Sequence, residues 1–286
     1  MKPLVKTFFD QVTSTFSYIV HSGKESSCAI IDPVQNFNSN NARTDYLMAD
    51  EIVAFIKENN LKNQWILETH IHADHLSAAS YLKSKVGGKV AASQFINNAC
   101  DNFIPIFNLD ENDSKPKVHF DYLFSPDEDF FIGEFNAKAL YVPGHTPADT
   151  AYYVEDIIFV GDTLFAPDVG TARCDFPGGS ARKLFNSIHR ILSLPKETTM
   201  FLCHDYPDDR RNYQNKFTIQ EQIEKNIHIK NGTREEDFIL LRETRDKDLL
   251  LPDLLVPSIQ ANIRAGQLPA EENNGISYIK VPLNTL

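Results

Sequence analysis

The sequence predicts an α/β protein with one site built from several distant segments. Four apolar runs with strand character, at residues 65–67, 139–142, 157–160 and 200–203, end directly in segments that contain histidine or aspartate. Proteins of the α/β class place their chemistry where loops leave the carboxyl ends of strands. Stretches with the apolar spacing of helices lie between these runs. We therefore expect the four strand ends to meet at one site.

The N-terminal part begins with a predicted hairpin. Residues 16–20 and 28–33 are apolar strands, and the turn-rich segment HSGKESS separates them. A helix is predicted at 49–60, because Ile52, Phe55 and Ile56 fall on one helical face. Three further patterns follow along the chain: a helix at 76–86, a strand at 89–93 and an irregular insertion at 97–124.

The C-terminal part is predicted to be mainly helical. Ser180 can cap a helix whose packing face carries Leu184, Ile188 and Ile191. Residues 207–250 are charged and prone to form helices, and residues 276–281 have the pattern of a returning strand. We predict one domain, residues 1–286, with 207–286 as a helical C-terminal extension packed on it.

Composition favours a small-molecule substrate. The chain has 286 residues and a formal net charge of −11. Nucleic acids and anionic membranes are bound through clustered Lys and Arg, so we expect neither as a partner. No apolar stretch approaches the roughly 20 residues that a membrane-spanning helix needs. Nothing in the composition excludes a homodimer.

The cysteines and the first residues indicate the compartment. The four cysteines are widely spaced and form no CxxC pair, so neither a disulfide framework nor a structural zinc site is indicated. The first 20 residues lack the apolar core and cleavage site of a signal peptide. We expect a cytoplasmic protein in a reducing environment.

The strongest chemical signal is the segment ETHIHADH at residues 68–75. It places three imidazoles and a carboxylate, the usual ligands of zinc and iron, within six positions. Downstream, GHTP, GDTLF and CHDY each follow an apolar run. Any one of these residues is also expected in an ordinary turn or helix cap, but all four segments together indicate a metal centre. The candidate ligands are His70, His72, Asp74, His75, His145, Asp162 and His204.

This order of motifs resembles that of the metallo-β-lactamase superfamily. The successive motifs of that superfamily are HxHxDH, a lone histidine, a lone aspartate and a final histidine, and the resemblance covers at least residues 13–206. It implies a four-layer αββα sandwich with the site at one edge of the two sheets.

Two branches of the superfamily remain open on the ligands alone. The resemblance to persulfide dioxygenases implies one iron, held by His70, His145 and Asp162. The resemblance to glyoxalase II implies two zinc ions bridged by Asp162 and a hydrolase of glutathione thioesters. In that second case the additional ligands are His72, Asp74, His75 and His204.

The flanking segments favour the dioxygenase branch. GTARCDFPGG at 170–179 resembles the dioxygenase pattern GRTDFQQG through Arg173, Asp175 and the following Phe. CHDY at 203–206 resembles AHDY, and VPSIQANIRAG at 256–266 resembles the dioxygenase ending VPANMRCG. The helical tail with basic glutathione-binding residues that ends glyoxalase II is not recognisable.

The resemblance therefore implies an Fe(II) enzyme that oxidises glutathione persulfide, or a related small persulfide, with O₂ to sulfite and a thiol. A non-enzymatic metal-bound scaffold or sensor is the third alternative. The thiol carrier stays open, because Ala265 replaces a Cys of the human-type ending and His228 stands near an Arg proposed there to hold glutathione. The residues implied to surround the metal and assist catalysis are His72, Asp74, His75, His204, Asp205 and Tyr206. Those implied to contact substrate are Arg173, Asp175, Tyr206 and His228.

Overall fold

The structure, a computed structural model, describes residues 2–110, 115–209 and 211–285. The strands are β1 (Leu4–Asp10), β2 (Thr15–His21), β3 (Ser27–Ile31), β4 (Val34–Asn38), β5 (Arg43–Asp45), β6 (Lys62–Leu67), β7 (Leu76–Ser77), β8 (Lys89–Ser93), β9 (Tyr122–Phe124), β10 (Glu128–Ile132), β11 (Phe135–Tyr141), β12 (Thr150–Val154), β13 (Ile157–Phe159), β14 (Thr199–Phe201) and β15 (Lys216–Thr218). The helices are α1 (Leu47–Glu58), α2 (Ala79–Val86), α3 (Ile96–Phe107), α4 (Pro116–His119), α5 (Ala181–Leu192), α6 (Ile219–Lys225), α7 (Glu235–Asp246) and α8 (Leu255–Asn262).

Two six-stranded sheets form the centre of the fold. The first has the order β1-β2-β3-β6-β8-β9 and the second the order β10-β11-β12-β13-β14-β15. Strands β3, β6, β8 and β9 run parallel to one another, whereas most pairs in the second sheet are antiparallel. A small third sheet has the order β5-β4-β7, and its strand β7 directly follows the HxHxDH segment.

The inner faces of the two large sheets share one apolar core. Successive side chains of a strand point to opposite faces of its sheet. Tyr18 and Val20 of β2 therefore face the second sheet, where they join Phe130 and Tyr152 in a single buried cluster.

The outer faces are covered by helices. Ile19 and Ile30 of the first sheet pack in a cluster with α1, α2, α3 and α8, and Ile158 and Met200 of the second sheet pack with α5, α6 and α7. Helices, sheet, sheet and helices thus follow one another, and the predicted four-layer αββα sandwich is confirmed.

The predicted site strands end at one edge of this sandwich. Strands β11, β13 and β14 run in the same direction, because β12 is antiparallel to both β11 and β13, and β14 is parallel to β13. Two hydrogen bonds join the sheets at this edge, from Thr150 N to Thr69 O at 2.9 Å and from Phe16 N to Cys203 O at 2.7 Å. The loops after β6, β11, β13 and β14 therefore meet there.

Several local predictions agree with the structure. Strands β2 and β3 form the expected antiparallel hairpin. The Ser180 side chain accepts a hydrogen bond from Lys183 N and caps α5, whose Leu184, Ile188 and Ile191 are fully buried. All four cysteines are buried and none forms a disulfide.

The prediction of an irregular insertion at 97–124 is wrong for most of its described part. Residues 96–107 form α3, and Cys100, Phe103 and Phe107 recur at helical spacing on its buried face. Pro105 lies in the last turn of α3, where the helix is already ending. Residues 111–114 of this segment lie outside the described residues.

The strand predicted at 276–281 is also absent from the described chain. Instead, Gln260 of α8 replaces a neighbouring strand as the hydrogen-bond partner of this segment. Its side-chain amide accepts from Lys280 N and donates to Lys280 O, both at 2.9 Å. Within the described ranges, no helix is long and apolar enough to cross a membrane.

Candidate metal centre

The HxHxDH loop follows β6 and is fixed from both sheets. Asp32, which follows β3, accepts hydrogen bonds from Thr69 N at 2.8 Å and Thr69 Oγ1 at 2.9 Å. From the second sheet, Tyr152 Oη donates to Glu68 O at 2.9 Å. The three histidines of the loop are buried, so each ring is held in one orientation by its surroundings.

His70 and His145 approach the same carboxylate oxygen. Their Nε2 atoms lie 3.8 Å and 3.6 Å from Asp162 Oδ2. His145 Nδ1 donates to the carbonyl of Arg173 at 2.7 Å, which leaves a lone pair on Nε2. The ligand atoms of these three residues lie within 4.8 Å of one another, so they form a compact group of two imidazoles and a carboxylate.

A second group lies next to the first. It consists of His72, Asp74, His75 and His204, whose ligand atoms are also within 4.8 Å of one another. His204 Nε2 lies 3.1 Å from Asp74 Oδ2 and 3.4 Å from Asp162 Oδ1. The two oxygens of Asp162 thus face the two groups, so this carboxylate joins them.

The donor atoms fit a metal cation. Five buried nitrogen and oxygen atoms of the candidate ligands have no hydrogen-bond partner among the described residues, although an unpaired buried polar atom costs about 1–3 kcal/mol. A cation would satisfy them, and imidazole nitrogens with a carboxylate suit iron or zinc. These atoms are His70 Nε2, His72 Nδ1, His75 Nε2, His204 Nε2 and Asp162 Oδ1.

The surroundings of His70 and Asp74 favour the protonation states in which these side chains bind a metal. Burial, together with His72 and His145, holds the pKa of His70 well below its usual value, so the ring is neutral at pH 7. Burial alone would raise the pKa of Asp74, but His204 and His75 outweigh it and lower that pKa well below its usual value. A neutral imidazole and an ionised carboxylate are the forms that bind metals.

Two buried carboxylates behind His72 were missed by the sequence prediction. His72 Nε2 lies 3.1 Å from Asp32 Oδ1 and 3.2 Å from Glu68 Oε2. Burial opposes protonation of His72, but these two charges raise its pKa well above the usual value. Asp32 directly follows the apolar strand β3, as the predicted ligands follow their strands. The same sequence pattern could therefore have identified it.

Asn262 of α8 is a second residue that the sequence prediction missed. Its Nδ2 donates to His72 O and His75 O, and its Oδ1 accepts from Ser77 N, all at 2.8 Å. It is buried, and it lies 187 positions after His75 in the chain. The C-terminal segment therefore holds the backbone of the HxHxDH loop.

A cavity of about 520 Å³ opens onto the metal groups. This volume is typical of small-molecule sites. Asp74, His145 and Asp162 lie in its wall, so both groups are accessible from it. The rest of the wall includes Val12, Phe165, Tyr206, Arg245 and Leu250.

Arg173 lies in the cavity wall but its guanidinium is occupied. Its Nε and Nη2 donate to the two oxygens of Asp175, each at 2.7 Å, and Nη1 donates to Leu250 O at 2.6 Å. The guanidinium carbon also lies over the ring of Phe176, 4.9 Å from the ring centroid. Because the Arg173 carbonyl orients His145, this side chain supports both the metal group and the cavity rim.

Arg173→Lys is expected to lower the melting temperature while iron content stays near that of the wild type. Lysine cannot reproduce the paired bonds to Asp175, and at this partly screened site we expect a loss of about 1–2 kcal/mol, or roughly 2–8 °C. Asp175→Asn should give a similar decrease. A higher KM with an unchanged melting temperature would instead assign Arg173 a direct substrate contact.

Asp205 pairs with an arginine, whereas its neighbour Tyr206 lines the cavity. Asp205 was expected to bond a ligand imidazole, but it is buried and pairs with Arg211, at 2.5 Å and 2.7 Å. Arg211 also binds Asp168, so Asp205 fixes the loop rather than a ligand ring. The Tyr206 ring lies against that of His204, with centroids 5.9 Å apart, and faces the cavity.

His228 lies behind the cavity wall. Thr171 N donates to its Nδ1 at 3.0 Å, and Arg245 Nη1 lies 2.6 Å from its Nε2. Both ring nitrogens therefore face protein groups. The substrate contact predicted for His228 stays a prediction, and Arg245 is the residue that reaches the cavity beside it.

Comparison with known proteins identifies the family. A profile of the Metallo-beta-lactamase superfamily matches residues 11–204. The chain belongs to the metallo-β-lactamase superfamily. The match ends at His204, the last candidate ligand, so it covers every ligand candidate in the order in which the motifs were found.

Individual superfamily members resemble the chain over most of its length. Glyoxylase B2 of Dictyostelium discoideum is 47% identical over 287 residues, which cover 100% of this chain and 98% of that protein. The mitochondrial persulfide dioxygenase ETHE1 of Homo sapiens is 27% identical over 206 residues, which cover 71% of this chain and 68% of that protein. The crystal structure of ETHE1 from Myxococcus xanthus has a TM-score of 0.73 and 25% identity, and the superposition covers 92% of this chain and 100% of that one.

Proposed function

We propose that this chain is a persulfide dioxygenase that holds one Fe(II) through His70, His145 and Asp162. The observation that carries the proposal is the compact group formed by their three ligand atoms, which adjoins an open cavity. Two imidazoles and one carboxylate with open positions are typical of non-haem Fe(II) oxygenases. The similarity to persulfide dioxygenase ETHE1 supports the same activity.

In the proposed reaction a persulfide, O₂ and water give a thiol, sulfite and two protons. The S–S bond breaks, the carrier sulfur leaves as the thiol, and the outer sulfur acquires two oxygens from O₂ and one from water. A bound Fe(II) would supply adjacent open coordination positions and the redox activity that O₂ requires. The sulfur that is oxidised must therefore lie beside His145 and Asp162 in the cavity.

The neighbouring residues orient the ligands and handle water. The hydrogen bond from His145 Nδ1 to the Arg173 carbonyl fixes the tautomer of the ring. Loss of such a contact to a metal ligand typically lowers metal affinity or activity about 10- to 100-fold. Asp74 is ionised and lies at the cavity wall between His75 and His204. Its oxygens can accept a hydrogen bond from the water that the reaction consumes and so orient that water. Tyr206 lines the same wall.

A dinuclear zinc hydrolase is the second candidate function. The observation that favours it is the position of Asp162, whose two oxygens face the two ligand groups as a bridging carboxylate would. The name of Glyoxylase B2, the more similar relative, is compatible with this alternative. Two zinc ions would activate a water molecule for attack on a thioester carbonyl.

We expect the iron-loaded protein to consume O₂ with glutathione persulfide and to release sulfite in equal amounts. An oxygen electrode and a sulfite assay measure the two quantities, and a glutathione thioester is tested in parallel. Protein from which the metal has been chelated serves as the control. Ready thioester hydrolysis, together with background O₂ uptake, would refute the dioxygenase and establish the hydrolase.

A further inference from the structure

We propose that Arg245 anchors a carboxylate group of the substrate, so that the cavity selects thiols that carry a carboxylate. The inference rests on the proposed function for its choice of a persulfide as the substrate. It adds the residue that recognises the non-reacting part of that molecule. Three arginines line one cavity with the metal groups, namely Arg173, Arg242 and Arg245.

Two of the three arginines are already used by the protein. Arg173 is engaged with Asp175 and with the carbonyl of Leu250. Arg242 is fully buried, and it donates to Thr171 O at 2.7 Å and to Asp246 Oδ1 at 2.6 Å. Moving either guanidinium toward a ligand would break contacts that hold the cavity wall.

Arg245 differs because its side chain has no carboxylate partner within 4.0 Å among the described residues. It is exposed in the last turn of α7, and its Nη1 lies 2.6 Å from His228 Nε2. An exposed guanidinium in the wall of an open cavity, with no carboxylate of the described residues paired to it, is available to bind an anion from solution.

The contact between Arg245 and His228 is itself poorly matched. Burial, together with Arg242 and Arg245, lowers the pKa of His228 to about 4, so the ring is neutral at pH 7. A neutral imidazole has one lone pair for an N–H donor, and the buried Thr171 N already donates to Nδ1 at 3.0 Å. His228 Nε2 then carries hydrogen and faces a guanidinium that also only donates.

A bound carboxylate would resolve this mismatch. It would accept paired hydrogen bonds from Arg245, in the planar geometry that a guanidinium matches, and it would leave Thr171 and His228 undisturbed. The cavity wall also contains Asp74, Asp162 and Asp253. One uncommitted cation among these acidic groups suits a carboxylate better than a phosphate dianion, which would meet more repulsion.

The cavity that Arg245 lines also has apolar side chains at its surface, which fits the body of a small thiol. Val12 and Leu250 line the cavity and are 81% and 90% exposed. Methylene groups between a carboxylate and a sulfur atom can lie against these side chains, in the cavity that both Arg245 and the metal groups line.

The test measures binding rather than turnover. Glutathione, and glutathione with both carboxyl groups esterified, are titrated calorimetrically into the iron-loaded protein under anaerobic conditions. We expect the wild type to bind glutathione about 10- to 100-fold more tightly than the diester, which corresponds to loss of a charged hydrogen-bond pair. Arg245→Gln should weaken glutathione binding by the same factor and leave diester binding unchanged.

Lys247→Gln is the matched control, because it removes the same charge two positions further along the chain, outside this cavity. Its glutathione affinity should equal that of the wild type, and Arg245→Lys should fall between Arg245→Gln and the wild type. Retention of the fold is checked by the melting temperature of each variant.

Four outcomes would overturn the inference. They are no glutathione binding by the wild type, equal binding of glutathione and its diester, equal losses in Arg245→Gln and Lys247→Gln, or an Arg245-dependent preference for coenzyme A, which would assign a phosphate. The oxygen chemistry is measured separately. If Arg245 controls the preference for glutathione over the diester but no O₂ is consumed, the anchor stands and the dioxygenase proposal fails.

Discussion

Replacing His145 by alanine is expected to remove most of the iron from the purified protein. In the mononuclear arrangement the metal has three protein ligands, His70, His145 and Asp162, and no spare ligand replaces a lost one. The loss of affinity should exceed the roughly 10- to 100-fold change that follows removal of an outer contact. Iron per chain, measured by elemental analysis of protein purified without added metal, should fall from about one to a small fraction.

His75→Ala separates the one-metal arrangement from the two-metal arrangement. His75 belongs to the second group, so a mononuclear protein should keep its iron in this variant and lose activity by about 10- to 100-fold. His189→Ala is the control, because this exposed histidine of α5 lies away from the cavity. Loss of all metal from His75→Ala, or two zinc ions per wild-type chain, would contradict the mononuclear arrangement.

The ligand candidates were predictable because each follows an apolar strand in the sequence. The apolar runs of β6, β11, β13 and β14 each stop just before a ligand segment, and strands that run in one direction bring their carboxyl ends to one edge. What the sequence did not reveal is how one carboxylate is shared. The two oxygens of Asp162 face different groups, and this depends on side-chain orientation rather than on spacing.

The supporting residues were harder to predict because their partners are far away in the chain. Asp32 follows β3 and meets His72 in the loop after the neighbouring β6, and Arg245 in the last turn of α7 meets His228 in the loop before that helix. Neither pair has a spacing that sequence periodicity reports. The prediction for residues 97–124 was wrong because two patterns compete there. Pro105 is typical of a loop, but the buried residues around it recur at the spacing of a helix.

Asn262→Leu is expected to lower both the stability of the protein and its affinity for iron. The substitution keeps the approximate shape of the side chain but leaves His72 O, His75 O and Ser77 N without this partner in a buried loop. At about 1–3 kcal/mol for each of the three unpaired groups, we expect a loss of about 3–9 kcal/mol in the free energy of unfolding. The melting temperature should then fall by roughly 10 °C or more.

The effect on iron distinguishes positioning of the loop from stability alone. The bonds of Asn262 hold the loop that carries His70, so iron affinity, measured well below the melting temperature, should fall about 10- to 100-fold. Asn262→Asp is the second variant if Asn262→Leu does not fold. It retains the acceptor for Ser77 N, but its second carboxylate oxygen cannot donate to His72 O and His75 O. Asn273→Leu is the control, because Asn273 is exposed on the same C-terminal segment. Wild-type iron affinity in a folded Asn262→Leu protein would show that α8 stabilises the sandwich without setting the geometry of the metal loop.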